Sequence, residues 1–575
     1  MVYDRVHKNY NYKGVEMLKK IFIGLVLTVS ISNYSNAQIF DPAALNVDPK
    51  TATGPMSPKL TGLGDSHFKV TTSNAESQYF FDQGLRLWVA FNHSEAMRSF
   101  KEAARLDPNN AMAYWGWALT LGRNLNLPMM KNVTEQAYDA ISRAVDLKDQ
   151  VSERERDYIE TLASRYTGDL SLPREPFDIA YMDATEALMN KYPDDPNAAV
   201  FHVGAAMNNQ PWDYWNDDET PKGNTTKIIS ILNDVIADHP DHAAAHHYLI
   251  HVTEYMKPEL AEKSADALAS IMPNAGHLVH MPSHIFIRLG RYQDSYDTNK
   301  HAITVDEDYI AQSKAQGIYP LNYYPHNIHF LSWSAMFTGR SEESITAALK
   351  VKDFLEEGVR KTSWGFGENF RVQPIFVMVR FGKWKEILEM EKPFVKAQFL
   401  TAMWHYGRSM AYLNTGELEM AEAELAKLKE FRVKFKDGLP GYNAVGMYVQ
   451  GDLVAIADEL ATGLISASKG DYEKAIFHLS TATRLEDGNM YTEPAAWNFP
   501  TRHFLGAILL ENDRAKEAEV VYWDDLKHNP NNAYSLYGLY QSYKALGNDE
   551  KAAEYLALYE EEWKDSDVKL TSSRF

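Results

Sequence analysis

The chain has no cysteine among its 575 residues, and that absence removes several chemistries at once. Disulfides, thiolate nucleophiles, cysteine-ligated zinc, iron–sulfur clusters and a lipidated cysteine anchor are all excluded. There is no excess of basic residues either: 58 Lys and Arg stand against 78 Asp and Glu, a net charge of −20. A phosphate-binding surface needs a basic footprint, so nucleic acid is excluded as a partner. No apolar run reaches the ~20 residues of a membrane-spanning helix. The sequence also lacks a glycine-rich phosphate loop, an HExxH motif and a GxSxG elbow. What it does have is 45% hydrophobic content, enough for a packed core rather than a disordered chain. This length suggests three or four domains, unless a repeat extends one array.

The N-terminus reads as an address. Met17, Leu18, Lys19 and Lys20 open a short basic segment, Ile21 to Ile31 is almost wholly apolar, and Ser35, Asn36 and Ala37 are small. This is the layout of a secretory signal peptide over 1–37, with cleavage expected between Ala37 and Gln38. Residues 1–16 are polar and sit awkwardly before it, so Met17 is the alternative start. Cleavage takes away five basic and two acidic residues, leaving a mature charge of −23. The expectation is an exported protein, periplasmic or secreted, without a membrane span. Residues 38–75 carry Pro, Thr and Gly without periodicity and read as an extended leader.

From residue 77 the chain follows a 34-residue logic. Phe80, Gly84, Leu87, Ala96, Phe100, Ala103 and Pro108 fall at positions 4, 8, 11, 20, 24, 27 and 32 of such a unit. The small residues stand where two helices cross closely, Phe100 fills the space toward the next pair, and Pro108 ends the second helix. The pattern restarts at Ala111, with Tyr114 and Trp117 as its large residues. It returns as Leu505, Gly506, Ala518, Tyr522 and Pro530, then as Leu536, Leu539, Gly547, Ala552 and Leu556. Gly290, Gly339, Gly382, Gly416 and Gly470 mark turns of further units. The predicted fold is all-α, a helical-repeat solenoid of about ten helix pairs. Its parts are an N-terminal array with inserts over 76–240, histidine-rich repeats over 241–345 and a C-terminal array over 346–575.

Two stretches break the period. Residues 122–175 carry extra material, including a charged helix around Glu153 to Tyr166. Residues 209–222 form an acidic, aromatic insert. Insertions in repeat proteins map to one face, often the binding face. Trp212, Tyr214 and Trp215 therefore either stack on a ligand such as a sugar or pin the loop to its own scaffold.

Histidine is the unusual component. Eleven of the 19 lie between residues 239 and 329. Aligning the first helices of three successive repeats puts His247, His280 and His329 at position 5. His251 and His284 then take position 9, and His277 and His326 position 2. These positions line the concave face. His247 and His251 are four apart, as are His280 and His284, so each pair shares a helix face. Such pairs on facing helices suit a divalent transition metal (zinc, copper or iron), because neutral imidazole is a good ligand for each. Glu254, one turn beyond His251, is a candidate further ligand or general base. Asp241 and Asp297 are candidates for orienting a ring from behind. The alternative is that each histidine caps a helix, satisfies a carbonyl or is solvated, as expected for His239, His242 and His301. Pro282 is expected to break the backbone bond to Leu278 and kink the His277–His280 segment.

Several stretches carry a family resemblance: Phe-Asp-Gln-Gly-Leu-Arg-Leu at 81–87, Ser-Phe-Lys-Glu-Ala-Ala-Arg-Leu-Asp-Pro at 99–108 and Ala-Tyr-Trp-Gly at 113–116. His-His-Tyr-Leu-Ile-His at 246–251, His-Leu-Val-His-Met-Pro-Ser-His-Ile at 277–285, Tyr-Pro-His-Asn-Ile-His-Phe at 324–330 and Pro-Thr-Arg-His-Phe-Leu-Gly at 500–506 extend it. Together they resemble long, exported bacterial tetratricopeptide-repeat (TPR) proteins with histidine-rich central repeats. The resemblance implies a repeat solenoid and an envelope location, some such proteins standing beside polysaccharide-utilisation machinery. Two functions follow as expectations. The first is a scaffold binding a protein, peptide or glycan partner. The second is a metal-dependent enzyme, a hydrolase or oxidoreductase, using the central histidines.

Overall fold

The computed structural model describes residues 46–315, 317–359, 367–394, 397–435 and 450–575. The expected signal segment, Met17 and the Ala37/Gln38 cleavage point lie outside them. Among the described residues the chain is all-α, with no β-strand. It is a TPR-like solenoid. Helix pairs begin at Ala75, Ala111, Glu153, Pro196, Ala243, Gly276, Tyr324, Glu368, Gln398, Gln450, Arg502 and Ala533. That is slightly more than the spacing indicated, because the aperiodic 122–175 stretch itself folds into helices Thr134–Leu147 and Glu153–Ala163. No helix among the described residues is long and apolar enough to cross a membrane.

Local signals account for the helix ends. Asn74, Asn92 and Asn110 each accept backbone N–H bonds from the first turn of the helix they precede. Ser152 and Glu155 form a reciprocal capping box, which satisfies donors that a helix start leaves free. Gly290 and Gly339 turn the chain between paired helices at φ +75° and +73°, where a Cβ would be strained.

The repeat residues do the work their spacing implied. Phe100 is fully buried, and a Cβ on either Gly84 or Gly116 would run into its ring. Tyr522 sits in the same way between Gly506 and Gly538. One aromatic ring thus occupies the gap between successive helix pairs, and glycine on both sides lets them approach.

Residues 46–74 form no helix but are lashed to the first repeats. Ser57 Oγ donates to Glu95 Oε1 at 2.6 Å, Leu60 N donates to Gln83 Oε1 at 2.8 Å, and Phe68 is buried. The apolar interior forms two clusters, one drawn from residues 63–370 and one from 287–570. They interleave along the helices of the central repeats. A long non-helical segment, 488–501, runs from the C-terminal array back to these repeats. There Trp333 Nε1 donates to Asn498 O at 3.0 Å, and Trp497 and Phe499 are buried.

Asp306, on helix Tyr292–Ser313, buckles the central repeats together. Its carboxylate accepts from Tyr319 OH and Asn327 Nδ2, both at 2.7 Å, and Tyr319 OH in turn accepts from His277 N at 2.9 Å. Burial pushes the Asp306 carboxyl up to about 7. The folded state therefore holds this proton more tightly than the unfolded chain does. Its contribution to stability is present in acid and falls as pH rises from about 4 through about 7. Asp306→Asn is expected to flatten that part of the pH profile of thermal unfolding, raising the midpoint more at pH 8 than at pH 5. The amide can be accommodated because Asn327 Oδ1 has no hydrogen-bond partner and can turn to accept from it. An unchanged slope between pH 5 and 8 would contradict this assignment.

Candidate metal centre

Four helical segments bring the histidines together. Ala243–Thr253 carries His247 and His251, while Gly276–His280 and Pro282–Arg288 carry His277, His280 and His284. Tyr324–Phe337 carries His326 and His329. The expected break at Pro282 divides this run into two short helices, while Met281 between them keeps helical φ −51° and ψ −36°. Pro282 costs one backbone donor but keeps the helical path, because it starts a new first turn where that donor is not needed. His277, His280 and His284 consequently share a face.

Six imidazoles form two triads, His247–His251–His277 and His280–His284–His326. Nε2 of His247 is 3.1 Å from Nε2 of His251. Nε2 of His280 is 2.9 Å from Nε2 of His284, which lies 3.5 Å from Nε2 of His326. Two nitrogens bound to one tetrahedral ion at ~2.0–2.1 Å stand roughly 3.3 Å apart. The observed separations bracket that value.

The far side of each ring decides which nitrogen is bare. His247 Nδ1 donates to Val89 O at 2.8 Å. His280 Nδ1 donates to Asn299 Oδ1 at 2.6 Å, and Asn299 is oriented by donating its own Nδ2 to Ser295 O. Both rings therefore present Nε2 lone pairs inward. His251 Nδ1 lies 3.4 Å from Glu254 Oε2, and His284 Nδ1 lies 3.2 Å from Glu254 Oε2 and 2.7 Å from Glu493 Oε2. Neither Nδ1 atom is in hydrogen-bond geometry with a carboxylate. The Nε2 atoms of His251 and His284 therefore either donate a proton to the lone pair of the partner ring or, with that proton on Nδ1, leave two lone pairs facing at about 3 Å for a shared cation to bridge.

Burial opposes the alternative, a proton. It holds His247 near 3 and His280 near 4, and pushes His251, His277, His284 and His326 well below the ordinary histidine range. The repulsion of neighbouring imidazoles adds to this at each of the last four. All six are neutral near pH 7, the form that ligates metal. Glu254 and Glu493 are pushed up by burial, and Glu254 further by the charge of Glu493. Tyr491 stands beside both carboxyls and opposes part of that rise. Among the described residues, none hydrogen-bonds His251 Nδ1, His284 Nδ1 or either nitrogen of His277. Buried polar atoms are rarely left so.

Each triad is covered by a phenylalanine. Phe91 stacks on His251 at 5.7 Å with an interplanar angle of 7°, and lies 4.4 Å from His247 and 5.4 Å from His277. Phe330 lies 4.7 Å from both His280 and His284 and 5.1 Å from His326. The aromatic insert forms part of the same wall. Trp212 meets His251 edge-on at 5.3 Å and donates Nε1 to Leu125 O. Trp215 donates Nε1 to Val252 O at 2.7 Å. Tyr214 and Trp215 are buried and offer no ring face to a soluble sugar; Trp212 keeps 38% of its surface exposed.

Some expected residues stand elsewhere. His329 joins neither triad; it meets Phe370 edge-on, and its Nε2 is 3.4 Å from Asn498 Nδ2. A π-helical run, Tyr319–Tyr323, precedes its helix, which also carries His326, a member of the second triad. Asp241 and Asp297 are exposed; Val89 O, Asn299, Glu254 and Glu493 hold the rings instead. Glu254 sits behind the ligand rings, on their Nδ1 side, rather than beside an open coordination position. His242 caps its helix, accepting from Ala245 N. The residues that sequence reasoning did not single out are Phe91, Asn299, Phe330 and Glu493. Only the short spacing of Phe330 from His326 and His329 hinted at any of them.

No protein-family profile matches this chain, and neither does any curated protein sequence. Solved structures do resemble it distantly. Human IFIT1, as a dimer with m7Gppp-AAAA, is 14% identical over 86% of this chain and 91% of that one, with a TM-score of 0.31. The Cut9–Hcn1 hetero-tetramer of APC/C is 12% identical over 86% of this chain and 95% of that one, with a TM-score of 0.26. Likeness at this level says nothing about partners, and the repeat fold stands on its own helices.

Proposed function

We propose that this is a metal-binding helical-repeat protein, which holds a transition-metal ion in a closed compartment of its central repeats and works outside the cytoplasm. The observation that carries the reading is the convergence of the Nε2 atoms of five buried, neutral imidazoles at 2.9 to 3.5 Å, with His247 held at Nδ1 by Val89 O and His280 by Asn299. Imidazole without thiolate suits zinc, copper or iron. Three imidazoles per triad leave an open position, the arrangement of reactive rather than purely structural centres. The Phe91 and Phe330 lids and the 209–222 and 488–501 segments restrict access to small ligands. Glu254 and Glu493 act as positioning residues that hold ring orientation and balance charge. Export follows from the signal segment read at 1–37.

The test is elemental analysis of tag-free, full-length mature protein beside a His247→Ala, His251→Ala, His280→Ala, His284→Ala variant. At least stoichiometric metal in the first and none in the second is expected. Protein that stays metal-free after incubation with zinc, copper and iron would sink the reading.

Partner binding is a second reading, favoured by large apolar side chains exposed on outer helices of the C-terminal repeats. Phe477 is 63% exposed, Val520 66% and Trp523 42%. In that reading these repeats carry an envelope protein or glycan partner, as in a polysaccharide-utilisation accessory, while the histidine compartment stays internal.

A further inference from the structure

The two triads are neighbours, and their arrangement has a second consequence. Ring centroids of His251 and His284 are 5.9 Å apart, and so are those of His277 and His280. Glu254 Oε2 lies between Nδ1 of His251, from one triad, and Nδ1 of His284, from the other. Each triad has three imidazoles, its own pair four residues apart on one helical face, its own ring held by a hydrogen bond at Nδ1, and its own phenylalanine lid.

We infer that each chain holds two metal ions, one per triad, close enough to share a single small oxygen ligand, water-derived hydroxide, between them. The inference rests on reading the histidine rows as a metal centre, and deepens it from one ion to a coupled pair.

Three features support two ions over one. First, no single point is within ~2.1 Å of all six nitrogens, because the six do not form one group whose ligand atoms all lie within 4.8 Å of one another and divide instead into the two triads. Second, each triad supplies three neutral ligands, so each ion keeps an open position, and paired metal sites stand about 3.5–4 Å apart when they share a ligand. Third, one acidic side chain spans the two triads: Glu254 Oε2 lies 3.4 Å from Nδ1 of His251 and 3.2 Å from Nδ1 of His284, and Glu493 Oε2 stands 2.7 Å from the latter. A third ion among Glu254, His284 and Glu493 is disfavoured, because His284 would have to ligate two metals through one ring while Glu254 and Glu493 gave up their hold on it.

The closed walls set the ligand class. Phe91, Phe330 and Trp212 cover the rings, so the shared position admits a water-sized or diatomic molecule and not a sugar or a peptide. The positive charge of two divalent ions would lower the pKa of a shared water far below that of bulk water, so that it would bridge as hydroxide with its proton released to solvent.

Copper(II) is the probe, added in excess to metal-stripped full-length mature protein and then freed of loose ions by gel filtration through a weak chelator. Elemental analysis is expected to return two copper ions per chain, with an electron paramagnetic resonance signal that integrates to far less than two spins, because a shared hydroxide couples them. Two pairwise variants divide the site, His247→Ala with His251→Ala and His280→Ala with His284→Ala. Each is expected to keep one copper and to recover a full one-spin signal. Circular dichroism monitors folding, and the milder His251→Gln and His284→Gln replace any pair that fails to fold. One copper in the wild type, two coppers with two full spins, or a pairwise variant that loses both ions would overturn the pair while leaving the single-metal reading intact. No copper at all, or copper retained equally by the four-histidine variant, would overturn both.

Discussion

Adding zinc to the metal-stripped protein raises its thermal unfolding midpoint by about 5 °C; the rise is reduced when His280 and His284 are both replaced by alanine, and disappears when His247 and His251 are replaced as well. A ligand that binds only the folded state contributes about 4 kcal/mol at a free concentration 1,000 times its dissociation constant. A large cooperative unit converts each kcal/mol into only ~1–2 °C, hence a shift of several degrees rather than tens. The stabilisation has a local cause. Without a cation, both His277 nitrogens are buried without a hydrogen-bond partner, and burying such groups unpaired is costly; an ion held by the His247–His251–His277 triad would engage one of them. Glu254→Gln separates positioning from ligation. It keeps shape but removes the carboxylate behind His251 and His284, and is expected to weaken zinc binding about 10–100-fold without abolishing it. Differential scanning fluorimetry across a zinc titration reads both effects. A midpoint that ignores zinc in the wild type would contradict the metal assignment.

Phe100→Ala is the most damaging single substitution expected outside the metal site, at about 3–5 kcal/mol. The ring is fully buried and fills the gap that Gly84 and Gly116 leave between the first two helix pairs. It also packs edge-on to Phe81 at 5.4 Å. Neither glycine can fill the cavity, since neither has a side chain. Repeat arrays are held mainly by nearest-neighbour interfaces, so the loss concentrates in the first cluster, and urea unfolding is expected to develop an early phase reported by Trp115 fluorescence. Gly116→Ala is expected to destabilise too, by about 1–3 kcal/mol, because its methyl group would overpack the same ring. If Phe100→Ala stays within ~0.5 kcal/mol of wild type, the ring is not the spacer described here.

How much of this was legible in the chain depends on the range of the forces involved. Helices, caps and turns follow from neighbours within one or two turns, and the glycine–aromatic spacing that predicted the pairs at Ala75, Ala111, Arg502 and Ala533 is realised in contacts between adjacent helices. The histidine face was legible for the same reason: side chains four apart on a helix share a side, so His247 with His251 and His280 with His284 could be paired by counting. Counting failed at His329, which meets Phe370 and Asn498 instead of joining His326, its neighbour on the same helix, in a triad. For the 209–222 aromatics the sequence left two readings open, and the indole N–H groups of Trp212 and Trp215 donate to the scaffold's own backbone at Leu125 O and Val252 O.

By itself, then, the sequence determined an acidic, cysteine-free, all-α repeat chain and a cluster of imidazoles on the inner face of its middle helices. The tertiary structure alone decided that six of those imidazoles meet as two triads. It brought Phe91 and Val89 O to them from the first repeat, and Glu493 from a segment more than 200 residues beyond. The reason is geometric. A helix phase is set residue by residue, but the curvature of a solenoid accumulates small rotations over every pair, and only their sum determines which distant segments close on the same point.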